Sequence, residues 1–515
     1  MFKTLKNNRK KILCFFILSL LFKPLWLFNN QDLGIPGDDM SYWLHSATIA
    51  IDYDLDYKND YKLESSVFNP ETNVPSHPPG AGYIASPFVF LFSQLDKIIN
   101  LSVENTRTNP VKSFAYLGFF VSGLFYTYIG TKLISKIVKK YNNKYTGLVL
   151  FCGLVSTLIH YVSTRFLMAH AIEFFLCCSL IYLFEKNEGK HLSNNDFTRL
   201  LLIYFCLAIT RPSTFLYSLI LIIFYKKIFV LNGRSILNYI VQFLGFSSIY
   251  VLLSRKLYQK NFMFLNTYGS DINEYSATLN FAQLLSGFQK LPNLFFSPNM
   301  GIAFSTPIIF LALIVCFTKE TRANLNISDK LVLFLFFCSS AIPLLIWQGR
   351  EVAYGQRLLI GIIPICILIT CKYLLDKRLV LLTKFLTLFT FVGYLMFYSS
   401  DKLTLKPGTT LWGTQTGFTA ENYYIEVIKA LLNYETILSS FLRNIYSVDI
   451  FKFINLRNLI NDSFFRSYLS IEKVDKFLSF TDIYFGIDIS YLLIVNFSII
   501  VFCYFYTKLI FSFNK

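Results

Sequence analysis

Long apolar runs alternate with short polar segments along most of the chain. Most of these runs approach the roughly 20 residues that a helix needs to cross a bilayer. Two shorter runs flank Arg211-Pro212, where the proline predicts the end of one half-helix and the start of the next. The predicted membrane helices lie near 12–28, 112–131, 145–163, 167–184, 198–210, 213–225, 235–253, 301–318, 330–347, 358–375, 379–397 and 487–509.

One further apolar run, 81–95, leaves two topologies open. If it crosses the membrane, the lysine-rich loop 132–144 falls outside, against the positive-inside rule. If it only dips in from the outer face, the Lys and Arg clusters and both termini fall inside. We therefore predict an all-α polytopic membrane protein with about 12 crossings. The segments then predicted to lie outside are 29–111, 254–300, 399–486 and the turns Arg165–His170 and Gln348–Arg357.

This topology predicts three regions along the chain. They are a transmembrane core over 1–398 that includes the first outer loop, an extracytoplasmic region over 399–486, and a last membrane helix with a short inner tail over 487–515.

Composition supports a membrane location. The 515 residues are 54% hydrophobic and only 15% charged, whereas soluble domains have about 25% charged residues. The net charge of +17 sits in short clusters between apolar runs, which is typical of cytoplasmic loops and argues against nucleic acid as a partner. All ten cysteines fall in or at the ends of apolar runs, which predicts core packing rather than a disulfide framework.

The first outer loop contains adjacent acids, Asp38 and Asp39, directly after a Pro-Gly turn signal. Apolar residues then recur at helical spacing from Met40 to Ile51, which predicts a short amphipathic helix on the membrane surface. A carboxylate pair at its N-terminus can bind a divalent cation or act as a general base. The alternative is that Asp38 is a helix N-cap, but one cap needs only one carboxylate.

A second motif follows in the same loop, with His77 before Pro78-Pro79-Gly80. The prolines and glycines predict a rigid turn into the apolar run 81–95. His77 could contact a phosphate or a metal there, or it could be an exposed loop histidine. Between the two motifs, alternating Asp and Tyr residues over 52–61 suit sugar binding or simply form a solvated face.

Gly37-Asp38-Asp39, followed about 40 residues later by His77-Pro-Pro-Gly80, resembles the GT-C membrane glycosyltransferases. Within them it is similar to the family of protein O-mannosyltransferases and lipid A aminoarabinose transferases. Softer similarities to bacterial members extend over roughly residues 10 to 400. They lie at Arg165–His170, Thr210–Pro212, Phe296–Gly301 and Tyr354–Arg357.

The resemblance implies a GT-C-like bundle with outer-face helices and a mechanism. A sugar linked to a polyprenyl phosphate or pyrophosphate enters from the bilayer, and a glycan, lipid or protein acceptor enters from outside. Asp38 or Asp39 acts as the base or holds a divalent cation, Mg or Mn, and attack inverts the anomeric carbon. This chain has Asp-Asp where many relatives have Asp-Glu, and His77 where many have Lys.

Arginines in apolar sequence supply a further argument. A departing lipid phosphate needs cationic stabilisation, and the fork of arginine can hold phosphate oxygens at two points. Arg165, Arg211 and Arg357, together with His77, are the residues predicted to bind the donor phosphate, and Arg350 is a weaker candidate. The alternative for each arginine is that it reaches out to lipid headgroups. Glu173 is expected to pair with Arg165 or with His170.

The function favoured by these observations is a multi-pass glycosyltransferase of the bacterial inner (plasma) membrane, with its active site on the extracytoplasmic face. A transporter or flippase for a lipid-linked glycan is one alternative, although no two related halves are visible in the sequence. A non-catalytic assembly partner that keeps only the fold is another.

Overall fold

The structure is a computed structural model that describes most of the bundle. The described residues are 2–22, 37–61, 68–69, 72–98, 113–141, 144–188, 190–224, 233–263, 291–296, 301–318, 332–338, 356–374, 376–403, 432 and 489–512. Almost all of them are helical, and a hairpin of two short strands pairs Phe68 with Pro75 and Asn69 with Val74. The predicted extracytoplasmic region 399–486, apart from 399–403 and 432, lies outside the described residues.

Most of the described helices overlap the predicted apolar runs. In chain order they are α1 Phe2–Leu21, α2 Gly37–Ala47, α3 Lys58–Tyr61, α4 Gly80–Ile98, α5 Phe114–Val138, α6 Thr146–Leu154, α7 Thr157–Ser163, α8 His170–Lys186, α9 Asn194–Thr210, α10 Pro212–Phe224, α11 Gly233–Tyr258, α12 Leu291–Phe296, α13 Ile302–Ser305, α14 Pro307–Phe317, α15 Ile363–Tyr373, α16 Lys377–Leu403 and α17 Ile489–Phe511. A π-helical turn, Thr48–Asp52, extends α2, and a 3-10 helix, Arg357–Ile362, leads into α15. The strands are β1 Phe68–Asn69 and β2 Val74–Pro75.

Several helices are long and apolar enough to cross a membrane. Within the described ranges these are Phe114–Tyr141, Ile236–Tyr258 and Ile494–Phe511, and the bent pair α6 and α7 would make a fourth. Together with the composition, they identify a multi-pass membrane protein. The full set of 12 crossings stays a prediction.

Helix breaks recur where polar or proline residues interrupt apolar sequence. The predicted break at Arg211-Pro212 is confirmed, because α9 ends at Thr210 and α10 begins at Pro212. A second break between α6 and α7 bends the chain by 57°, where the sequence had predicted one continuous run. Ser156 caps the new helix by accepting the amide N–H of Leu158.

Helix α5 lies at the centre of the bundle, with α4 and α8 on its flanks. It runs antiparallel to α4, because Asp96 near the end of α4 accepts the amide N–H groups of Phe114 and Ala115 at 2.6 and 2.8 Å. It runs in the same direction as α8, because Lys140 beyond its end donates to the carbonyl of Glu185 at 2.7 Å. The ends of α5 and α8 therefore form one lysine-rich end of the bundle.

The geometry of α4 bears on the ambiguous run 81–95. Its first residue, Gly80, packs against Thr210 at the end of α9, and its far end meets the start of α5. The helix therefore leads away from the lysine-rich end and does not cross towards it. Whether this segment crosses the membrane or enters and leaves on one side stays a prediction.

Candidate functional site

Helix α2 presents the two loop acids at its N-terminus. Asp38 and Asp39 occupy its first turn, where the positive end of the helix dipole stabilises negative charge. The prediction of an amphipathic helix with one polar face is wrong, because Ser41, His45 and Ser46 are as buried as its apolar residues. Its place at the membrane surface stays a prediction. The helix packs between α4 and the bundle, so that its N-terminus points into the protein.

Asp38 lies between two predicted phosphate-binding residues. Its Oδ2 accepts from Nη1 of Arg357 at 3.2 Å, and its Oδ1 lies 3.6 Å from Nε2 of His77. The side chain remains 37% exposed, so that a ligand can reach the carboxylate. Burial opposes ionisation of Asp38, but His77, Arg357 and Arg165 outweigh it, and the pKa of the carboxyl is lowered below its usual value.

Asp39 has a different environment from its neighbour. Its side chain is almost fully buried, and its Oδ2 accepts from Nε of Arg165 at 2.6 Å, with Nη2 of the same arginine also in contact. Burial raises the pKa of Asp39, and the ion pair with Arg165 limits the rise. The pair links α2 to the turn between α7 and α8, where Arg165 lies. Asp39 is therefore held in a buried ion pair, whereas the carboxylate of Asp38 remains accessible to a ligand.

The turn that carries His77 is fitted closely between two helices. A Cβ on Gly80 would lie 2.4 Å from Oγ1 of Thr210, and a Cβ on Gly82 would lie 2.6 Å from the carbonyl oxygen of Tyr42. Only glycine permits this approach, which explains the glycines of the motif. Burial lowers the pKa of His77, and the nearby Asp38 acts against this shift.

A second charged cluster lies fully buried beside the first, around Glu173 of α8. Its Oε2 accepts from Nδ1 of His170 at 2.8 Å and lies 3.5 Å from Nε of Arg211, and its Oε1 accepts a short hydrogen bond from Thr214. The predicted pairing with His170 is confirmed. The other predicted partner, Arg165, pairs with Asp39.

The two clusters are continuous in space. Gly361, four residues after Arg357, lies against Glu173 and Thr214, since a Cβ there would be 2.9 and 2.8 Å from their atoms. The N-termini of several helices meet at this place. Asp38 lies at the start of α2, His170 opens α8, Arg211 precedes Pro212 of α10, and Arg357 opens the 3-10 helix. Converging N-termini and arginines favour an anionic ligand.

The structure thus brings together all six residues predicted for the site. Asp38, His77 and Arg357 form one contact group, Asp39 and Arg165 form a second, and Arg211 joins through Glu173. Arg350 lies outside the described residues. The sequence reasoning missed His45, which holds the carbonyl of His77 at 2.8 Å. A histidine one helical turn after Ser41, on the polar side of α2, was the available signal.

A divalent cation at Asp38 and Asp39 would find few protein ligands among the described residues. Nowhere among them do three His, Cys, Asp or Glu side chains group as metal ligands do. Arginines occupy Oδ2 of Asp38 and Oδ2 of Asp39, whereas Oδ1 of Asp39 is buried without a hydrogen-bond partner among the described residues. A metal at Asp38 and Asp39 stays a prediction from the sequence, and the mechanism below uses none.

No protein-family model and no curated protein matches this sequence. Among solved structures, the crystal structure of ArnT from Cupriavidus metallidurans bound to undecaprenyl phosphate is similar over 98% of this chain and 77% of that chain. The TM-score is 0.41 and the sequence identity 8%. The geometry of the site, rather than this likeness, therefore carries the functional proposal.

Proposed function

We propose that this protein is a membrane glycosyltransferase. It transfers a sugar from a polyprenyl-phosphate-linked donor to the hydroxyl of an acceptor on the extracytoplasmic face of the plasma membrane. The observation that carries the proposal is Asp38, an accessible carboxylate held between Arg357 and His77. Such an arrangement supplies a base for a hydroxyl and a cation for a phosphate within one site.

Asp38 is the base in this scheme. Its lowered pKa keeps it ionised at neutral pH, and its partial exposure lets an acceptor hydroxyl approach. As the hydroxyl oxygen attacks the anomeric carbon, its proton passes to Asp38 and the carbon–oxygen bond to the phosphate breaks. The bonding pair leaves with the lipid phosphate, and the configuration of the anomeric carbon is inverted. Asp39 does not share this role, because Arg165 holds it.

The charge of the site suits the departing phosphate. Three arginines, Arg165, Arg211 and Arg357, face three carboxylates, Asp38, Asp39 and Glu173, so that the resting site is close to neutral. Protonation of Asp38 removes one negative charge at the moment when the leaving phosphate gains one. Arg357 loses its partner in the same step and becomes available to the phosphate.

The placement of charge along the bundle supports the extracytoplasmic location. His170 begins α8 at the site, whereas Lys186 ends it, about 25 Å away for a helix of this length. Lys139 and Lys140 follow the end of α5 beside Glu185. By the positive-inside rule this lysine-rich end faces the cytoplasm, which leaves the site at the outer side.

The experiment is sugar transfer by the purified protein in liposomes. Radiolabelled polyprenyl-phosphate hexoses and pentoses are supplied together with a membrane extract as acceptor, and both labelled product and free polyprenyl phosphate are measured. Asp38→Asn should lower the rate about 10²- to 10⁴-fold, the usual contribution of a general base. Full activity in Asp38→Asn would overturn the base assignment.

The same experiment separates the transporter alternative. A flippase would move the labelled donor to the other leaflet without cleaving the bond between sugar and phosphate. Intact donor that becomes accessible from the opposite side, with no free polyprenyl phosphate, would replace the transferase proposal by the flippase.

A further inference from the structure

The main chain of His77 is held in place by hydrogen bonds from two buried side chains. Its carbonyl oxygen accepts hydrogen bonds from Nε2 of His45 at 2.8 Å and from the hydroxyl of Tyr258 at 3.0 Å. Its ring packs against Tyr42, with 5.3 Å between the ring centroids. His45 and Tyr258 are fully buried and belong to different helices, α2 and the end of α11.

The carbonyl fixes the tautomer of His45. A carbonyl oxygen can only accept, so Nε2 of His45 must carry the proton and Nδ1 must accept. Tyr57 therefore donates to Nδ1 at 2.7 Å, and Tyr83 donates to the oxygen of Tyr57 at 3.1 Å. The result is a directed chain of hydrogen bonds from Tyr83 through Tyr57 and His45 to the carbonyl of His77.

This chain cannot conduct a proton to the site. It ends on a main-chain carbonyl, and the peptide bond beyond it leads to Pro78, which has no N–H. Burial also lowers the pKa of His45 to about 3, so that the ring stays uncharged at physiological pH. What the chain can do is hold the turn that carries His77 in one position.

We infer that His45 is a positioning residue, whose Nε2–H fixes the carbonyl of His77 and so holds the His77 ring beside Asp38. Tyr57 donates to Nδ1 and so holds the ring in the orientation that makes this bond. The importance of His77 for transfer rests on the proposed function. The control that His45 exerts over the turn rests only on the hydrogen bonds.

The test compares two substitutions of similar size. In His45→Gln the side-chain amide can still donate to the carbonyl, whereas His45→Leu fills the space without a donor. Hydrogen–deuterium exchange of the peptide that covers 72–83 is measured for the full-length protein in detergent. Transfer kinetics are measured in liposomes with the labelled polyprenyl-phosphate donors. Tyr57→Phe, which removes only one oxygen atom, covers the case that His45→Leu does not fold.

We expect exchange in 72–83 to be about tenfold faster in His45→Leu than in wild type, and kcat/KM for transfer to fall by a similar factor, as for a lost buried hydrogen bond. His45→Gln should restore both to within about threefold, and Tyr57→Phe should change both in the direction of His45→Leu. Equal exchange in His45→Leu and His45→Gln would overturn the inference. Absence of transfer even in wild type would refute the proposed function and leave the exchange result to decide the role of His45.

Discussion

The carboxylate of Asp38 receives a hydrogen bond from Arg357, a residue 319 positions further along the chain, at 3.2 Å. The contact joins the first loop of the protein to the start of the helix that leads into α15. One residue later, Asp39 is bound to Arg165 in a separate pair. Two adjacent acids thus have separate arginine partners, and this difference underlies the predictions for their variants.

The two acids should respond differently to substitution by asparagine. In Asp38→Asn we expect loss of transfer with little change in thermal stability, because the side chain is partly exposed. In Asp39→Asn we expect destabilisation of about 3–5 kcal/mol, because the buried guanidinium of Arg165 loses the carboxylate of Asp39. Thermal unfolding of the purified variants, measured beside transfer, checks both. Unchanged stability in Asp39→Asn would mean that the pair with Arg165 is not structural.

The pH dependence of transfer should depend on Arg357. A base must be ionised, so the rate rises with pH through the pKa of Asp38, which its cationic neighbours lower. Removing the charge in Arg357→Gln raises that pKa, and we expect the acidic limb of log kcat/KM to move to higher pH. Arg357→Lys keeps the charge and should leave the limb close to its wild-type position. An identical limb in Arg357→Gln and wild type would exclude Asp38 as the titrating group.

Much of the helical framework could be predicted from the sequence, because hydrophobic run length and proline position are local signals. The break before Pro212 is an example, since proline lacks the N–H that a continuing helix needs. The sequence contains no proline or other local signal for the bend between Leu154 and Thr157. Its cause is a serine cap within apolar sequence, and serine also occurs in uninterrupted membrane helices.

The members of the site could be predicted, but their partners could not. Acids in a loop and arginines in apolar runs stand out by type, because burying a charge is costly. Which acid meets which arginine depends on how distant helices pack, as the pairs of Asp38 with Arg357 and Asp39 with Arg165 show. His45 escaped notice because neutral histidines in amphipathic helices are usually part of the packing.

A buried acid outside the site gives a prediction about stability. Asp60 accepts from Thr48 at 2.8 Å, and burial raises its pKa to about 6. In the unfolded chain an Asp has a pKa of about 3.9, so the folded state holds a proton that the unfolded state releases between these values. Stability should therefore fall as the pH rises from about 4 to 6 and stay reduced above it.

Asp60→Asn mimics the protonated form at every pH and keeps an oxygen for Thr48. We expect it to be more stable than wild type at pH 7.5, by about 1–3 kcal/mol, and equally stable near pH 4. Unfolding midpoints across this pH range, with exposed Glu188→Gln as the control, check the prediction. A variant that is less stable than wild type at pH 7.5 would show that Asp60 is needed in its charged form.

Gly80, the first residue of α4, tests whether close packing against the end of α9 holds the turn that carries His77. A methyl group at Gly80 would meet Oγ1 of Thr210 at 2.4 Å and the main chain of Ile209 and Thr210 at 2.7 Å, and main chain cannot move aside as a flexible side chain does. Gly80→Ala should therefore destabilise the protein by about 1–3 kcal/mol, the usual cost of overpacking, and displace His77 from Asp38.

Gly245, within α11, is the matched control, because a Cβ there has no atom of the described residues within 4 Å. Gly245→Ala should be neutral or stabilising by up to about 1 kcal/mol through helix propensity. Melting temperatures and transfer rates of the two variants test whether the turn is held in this way. If both alanine variants are as stable and active as wild type, the turn is not held against the end of α9. The close approach of His77 to Asp38 must then have another cause.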